Sequence, residues 1–172
     1  MENMKNVGNN GKKRREKSGL RGISRFCALQ NLYRSEFFDD HIYLDNRAYN
    51  NIDFVNSNKP EELSEAFLTE SISLSDMDEK FFKQLFNETK KNLREVDKVI
   101  AKNLSKKWSI DRIDPVAKCI LRLGITELMF FKETPPNVIF NEYIEIAKAF
   151  FETAEVSFIN GLLNKVAKSV RI

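Results

Sequence analysis

Lys17, Arg21 and Arg25 recur every four residues, and Lys12, Lys13, Arg14 and Arg15 crowd the stretch ahead of them. On a helix, a four-residue repeat stacks side chains into one ridge. Guanidinium forks on such a ridge neutralise phosphates, bond base edges and stack on unpaired bases. The first 25 residues hold eight Lys and Arg against two Glu, whereas the whole chain has a net charge of only +3. Positive charge concentrated at one end points to a local polyanion contact. The competing reading is a basic tail that only aids solubility.

Catalytic chemistry finds no comparable support. The sequence has no GxxxxGK[ST] phosphate loop and no strand followed by GxGxxG. Its one histidine, His41, lies in a polar stretch, so neither a Ser-His-Asp nor a Cys-His nucleophile is expected. Glu142 and Glu145 read as the solvated face of an amphipathic helix rather than as an acid–base pair. Cys27 and Cys119 lie 92 positions apart among apolar residues and are expected to be buried, reduced thiols. Cysteine pairs at metal-ligand spacing are missing, so no metal and no cofactor is expected. The apolar runs are far shorter than the ~18 residues that span a bilayer, and no signal-peptide stretch follows the basic N-terminus. A protein working in the cytoplasm, with no membrane partner, is expected.

The elements that must position the basic residues are helical. Residues 1–18 are Asn, Gly, Lys and Arg with little to bury, and are expected to form a flexible basic arm. Residues 19–172 are expected to form a single helical domain. Phe26, Leu29, Tyr33 and Phe37 mark the face of its first helix. Residues 39–58, with five asparagines, read as a polar connection. Pro60 opens a helix over about 60–70. A periodic segment follows from Ser75 or Asp76 through Phe82, Leu85, Phe86, Thr89, Leu93, Val96 and Ile100, with a turn near 88–91 able to divide it.

Asp114 and Pro115 form an explicit helix start. The helix behind them, to about 131, is apolar nearly all round and should be the centre of the core. Thr134-Pro135-Pro136 ends it and opens a helix with Ile139, Tyr143, Ile146, Ala147 and Phe150 on one face. Val156, Ile159, Leu163, Val166, Ala167 and Val170 mark the last helix. Trp108 reads as an anchor for the turn before Asp114, and Asn160-Gly161 as a place where helices approach closely. The fold class is all-α, with about seven helices in two small packed bundles.

One stretch, Arg21-Gly-Ile-Ser-Arg-Phe-Cys-Ala-Leu-Gln-Asn-Leu-Tyr33, resembles the opening of the NusB family, whose pattern is roughly R-x-x-[AS]-R-x-x-A-x-Q-x-L-Y. Trp108–Pro115, Ile120–Leu128, Pro135-Pro136, Asn141-Glu142, Ile146–Lys148 and Phe158–Leu163 follow in the family's order. The resemblance covers about 20–38 and 78–171. It departs from the family pattern at Ala117, Thr126, 151–156 and Asn164. It implies a bacterial transcription antitermination factor without catalysis. Such a factor binds boxA-type leader RNA of ribosomal RNA operons, together with NusE, a small-subunit ribosomal protein, on elongating RNA polymerase. The resemblance assigns RNA contact to Arg14, Arg15, Arg21 and Arg25, with Gln30 and Phe158. Lys12, Lys13 and Lys17 join them on charge. It places Tyr33 and Arg122 near the partner surface, and it leaves a homodimer open. The alternatives are a helical protein-binding scaffold and an RNA-targeting accessory domain of a larger enzyme.

Overall fold

A computed structural model of the protein describes the backbone of residues 7–37 and 77–171, with side chains over 19–36 and 77–171. His41, the 39–58 stretch and the helix expected at 60–70 lie outside the described residues. Six α-helices are described: α1 (Val7–Phe37), α2 (Glu79–Lys91), α3 (Leu93–Asn103), α4 (Pro115–Phe130), α5 (Pro136–Lys148) and α6 (Thr153–Val170). A 3-10 turn at Ile110–Arg112 precedes α4. No strand is present among the described residues.

Local chemistry explains the boundaries. Asp78 caps α2, its carboxylate accepting from the Phe81 amide at 3.0 Å. The periodic segment does divide, at Asn92, whose side-chain amide donates back to Glu88 O at 2.8 Å. Asp114 caps α4 by accepting from the amides of Val116 (2.8 Å) and Ala117 (3.3 Å), with Pro115 at the first helical position. Pro135 sits at the N-cap of α5 and Pro136 at its start, where a missing amide costs nothing.

The apolar α4 is the centre of the fold, as its composition requires. It packs against each of the other five helices, and its residues Ala117 and Cys119 through Leu128 are all buried. Two small bundles share it: α1 and α2 pack on one side, and α3, α5 and α6 complete the other. Cys27 and Cys119 are buried and unbonded to one another.

Two expectations about packing change. The buried face of α1 is Ser24, Arg25, Cys27, Ala28, Leu29 and Leu32, while Phe26 and Tyr33 flank it half-buried. Two polar residues on the inward stripe displaced the apparent centre of the apolar face. The close helix approach is also not at Gly161, where a Cβ would meet nothing within 4 Å. It is at Gly124, where a Cβ would lie 2.9 Å from Leu163 Cδ2 and 3.3 Å from Tyr143 Cδ2.

Candidate nucleic-acid interface

Regular helix begins at Val7, so Lys12, Lys13, Arg14, Arg15 and Lys17 ride on helical backbone where the composition suggested an irregular arm. Lys, Arg and Glu are good helix formers, and the packed segment that follows them removes the nucleation cost. Their side chains lie outside the described set.

Arg21 is one third exposed. Its Nε lies 3.5 Å from an Asp78 carboxylate oxygen, and its guanidinium sits 4.8 Å from the centre of the Phe81 ring. This leaves a face of the fork open to an anion while the other is held against the fold.

Arg25 does not continue the ridge. It is 1 % exposed, the largest fully buried side chain of the described residues. Its Nε donates to Glu127 Oε2 at 2.9 Å and its Nη2 to Glu127 Oε1 at 2.5 Å. Its Nη1 donates to Glu142 Oε2 at 3.1 Å. Tyr143, fully buried, donates its hydroxyl to Glu127 Oε2 at 3.0 Å. Burial alone would push the guanidinium toward neutrality, but the Glu127 hydrogen bonds and charge outweigh it and hold Arg25 firmly protonated. The assignment of Arg25 to RNA is therefore corrected: an uncompensated charge inside the core is costly, so the fork is committed to carboxylates. Glu142 belongs to this network rather than to a solvated face, and burial raises its pKa against the pull of Arg25.

Arg122, expected near a partner surface, is also buried. Its Nε and Nη2 donate to the two Asp97 oxygens at 2.7 Å each, and Nη1 pairs with Glu36. It ties α1, α3 and α4 together, and only 6 % of its surface is exposed, so its contact role is corrected to an internal one. Thr126, a departure from the family pattern, is buried beside it and donates to Arg122 O at 2.8 Å. Gln30 and Tyr33 are half-buried on α1, with Tyr33 against the core.

Phe158 sits in a cleft of about 300 Å³ between the end of α3 and α6. Its ring stacks with that of Trp108, centroids 6.0 Å apart and 25° between planes. Trp108 is 53 % exposed. The Arg112 guanidinium lies 5.8 Å from the Trp108 centroid, and Lys165 reaches Asn103 O at 2.9 Å on the cleft wall. Exposed aromatic faces flanked by cations suit stacking of unpaired bases beside a phosphate chain.

Sequence reasoning missed Glu127, Asp97, Arg112 and Lys165. Glu127 and Arg122 carried a usable signal: two charges on a helix apolar all round must be buried, and buried charges need partners.

The sequence model of the NusB family matches residues 23–168. The transcription antitermination protein NusB of Caulobacter vibrioides is 34% identical over 151 residues, covering 88% of this chain and 94% of that protein. The solved structure of T. maritima NusB superposes with a TM-score of 0.60 at 28% identity, covering 86% of this chain and 90% of that one. The fold is also that of a chain in a crystal structure of NusB and NusE with double-stranded RNA, at a TM-score of 0.60, 24% identity, and coverage of 90% and 98%. On the family match and the identity to its curated relatives, the chain belongs to the NusB family.

Proposed function

We propose that this protein is a non-catalytic transcription antitermination factor that holds single-stranded leader RNA of boxA type. It does so with NusE, in the complex on elongating RNA polymerase, and acts in the cytoplasm where that polymerase works. The carrying observation is the exposed Trp108 stacked on Phe158, with Arg112 and Lys165 beside it. The relative in Caulobacter vibrioides bears the antitermination name, and the NusB neighbour crystallised with NusE and RNA has the same fold. No helix among the described residues is long and apolar enough to cross a membrane.

In this reading residues 1–18 are the basic arm and 19–172 the RNA-binding domain. Lys12, Lys13, Arg14, Arg15, Lys17 and Arg21 supply phosphate neutralisation. The cleft supplies stacking on bases, and Gln30 a polar contact. Tyr33 belongs to the surface for NusE.

Fluorescence anisotropy with a boxA-like RNA at several salt concentrations tests the proposal. Each neutralised phosphate releases counterions, so the logarithm of the affinity should fall linearly with that of salt, with a slope of about −0.7 per contact on a single strand. Affinity indifferent to both salt and RNA sequence overturns it and leaves a protein-binding scaffold.

A further inference from the structure

Helix α1 is packed against the fold from Leu20 to Glu36, and the attachments nearest its N-terminal half lie at the start of that stretch. Leu20 O accepts from the Asp78 amide at 3.4 Å, and Ser24 Oγ donates to Asp78 O at 2.9 Å. Gly22 lies so close to α5 that a Cβ there would stand 3.0 Å from Glu142 Oε2. Arg25 then donates to Glu127 on α4 and Glu142 on α5. All of these attachments fall within Leu20–Arg25.

Ahead of that grip, α1 runs back to Val7, a lever of roughly 20 Å at the helical rise. Lys12, Lys13, Arg14, Arg15 and Lys17 ride on it. A tilt of about 10° at the grip moves the far end by roughly 3 Å, comparable to a hydrogen-bond length.

We propose that Arg25 is a positioning residue for RNA binding: its fork into Glu127 and Glu142 sets the direction in which the basic half of α1 leaves the domain, and the side chain itself touches no RNA. The proposal rests on the RNA-binding reading above. A planar guanidinium suits the task because its donors are rigidly arranged and here meet carboxylates on two different helices. The Tyr143 hydroxyl fixes one Glu127 oxygen, so the acceptor is as constrained as the donor. A lone ammonium would attract both carboxylates without fixing the rotation of α1 against them.

The test pairs a distance measurement with a binding measurement on the full chain. Spin labels at Ser18→Cys and at Glu155→Cys, an exposed position on α6, report the direction of α1. The native thiols are buried and should not take label. The expected result is one narrow distance distribution in the parent. It should broaden in Arg25→Gln and in Glu127→Gln under conditions where both remain folded by circular dichroism. A role in fold stability alone would lower the melting temperature and leave the distribution narrow.

In anisotropy titrations without labels, both variants should bind boxA-like RNA at least tenfold more weakly with an unchanged salt slope, because the phosphate contacts remain. Two results overturn the proposal. One is a narrow distribution retained in folded Arg25→Gln. The other is a salt slope reduced by about one in Arg25→Gln while Glu127→Gln binds as the parent does, which marks a direct contact. Should either variant fail to fold, Glu142→Gln removes only the half-exposed partner and should broaden the distribution in part; an unchanged distribution there counts against the proposal. A parent protein that binds no RNA defeats the RNA reading, and the distance distributions then still decide whether Arg25 directs α1.

Discussion

Arg25 meets Glu127 across the core as a two-point fork, Nε to Oε2 at 2.9 Å and Nη2 to Oε1 at 2.5 Å, with neither side chain more than 2 % exposed. A pair this deep does not add stability simply by existing, since desolvation of both charges opposes their attraction. Removing one member is different. Glu127→Leu leaves the guanidinium with only Glu142 and the Tyr143 hydroxyl without its acceptor, and should cost about 3–5 kcal/mol. Replacing both, as Arg25→Met with Glu127→Leu, should recover part of that loss, the rest being the Tyr143 hydroxyl left without its acceptor. Urea denaturation of the two singles and the double closes the cycle. A double variant as unstable as the worse single would refute the account.

Arg171 joins the end of α6 to the end of α4. It donates to Leu128 O (2.7 Å), Phe131 O (2.8 Å), Lys132 O (3.0 Å) and Glu127 O (3.2 Å). The C-terminus of a helix is the negative end of its dipole, so one cation there can bond several carbonyls at once, even where, as at Glu127 O and Phe131 O, they also accept from Phe131 N and Thr134 N. Arg171→Ala should destabilise by about 1–3 kcal/mol. Thermal melts of the variant check this, and a melting temperature equal to the parent's would show the contact to be idle.

Gly124 and Gly161 are both within helices and should respond oppositely to alanine. At Gly161 a Cβ meets open space, so Gly161→Ala should stabilise by up to about 1 kcal/mol through helix propensity. At Gly124 the added methyl drives into buried Leu163 and Tyr143, and overpacking of about 1–3 kcal/mol should cancel or exceed that gain. Parallel denaturation curves decide it, and equal shifts in the two variants would contradict the packing described.

The Trp108–Phe158 cleft and the cations around it should separate in binding experiments. Trp108→Ala or Phe158→Ala should weaken boxA-like RNA binding by about 1–3 kcal/mol with no change in salt slope, as loss of base stacking does. Lys165→Gln should reduce the slope by about one. Unchanged affinity in Trp108→Ala would remove the cleft from the RNA interface.

Stability should fall on the alkaline side. Burial pushes the Cys27 thiol up to about 11 and the Cys119 thiol up to about 12, from an ordinary 9.0. Below 9 both thiols are protonated in both states, and their contribution is fully present. As pH rises beyond 9, the unfolded chain ionises first and gains stability relative to the fold. The slope is about 1.4 kcal/mol per pH unit for each thiol, hence about 3 kcal/mol per unit for both up to 11. The urea midpoint should drop between pH 8 and 10. Cys27→Ala with Cys119→Ala should abolish the part that begins near 9. The part from Tyr143, whose hydroxyl is raised well above 10 chiefly by burial, should remain.

What was legible in the chain is what depends on near neighbours along it. Asp114-Pro115 and Pro135-Pro136 announce helix starts because capping and proline geometry are local. The period of α5 and α6, and the all-round apolarity of α4, name the core because burial follows periodicity. The pattern from Arg21 to Tyr33 announced the family, since it is a matter of residue types at fixed spacing.

The direction in which each charge points was not legible. Lys17, Arg21 and Arg25 share a four-residue repeat, yet Arg21 keeps an exposed face while Arg25 vanishes into the core. Nothing in the repeat distinguishes them, because the difference is made by Glu127, 102 positions away, and Glu142, 117 positions away. The same holds for Arg122 with Asp97, and for Trp108, whose ring stacks on Phe158 only because α6 sets that residue beside it. The basic start, the helices and the core are thus properties of the sequence by itself. Which arginines remain available to an anion was decided by the tertiary structure, because a buried fork must find its carboxylates on other helices.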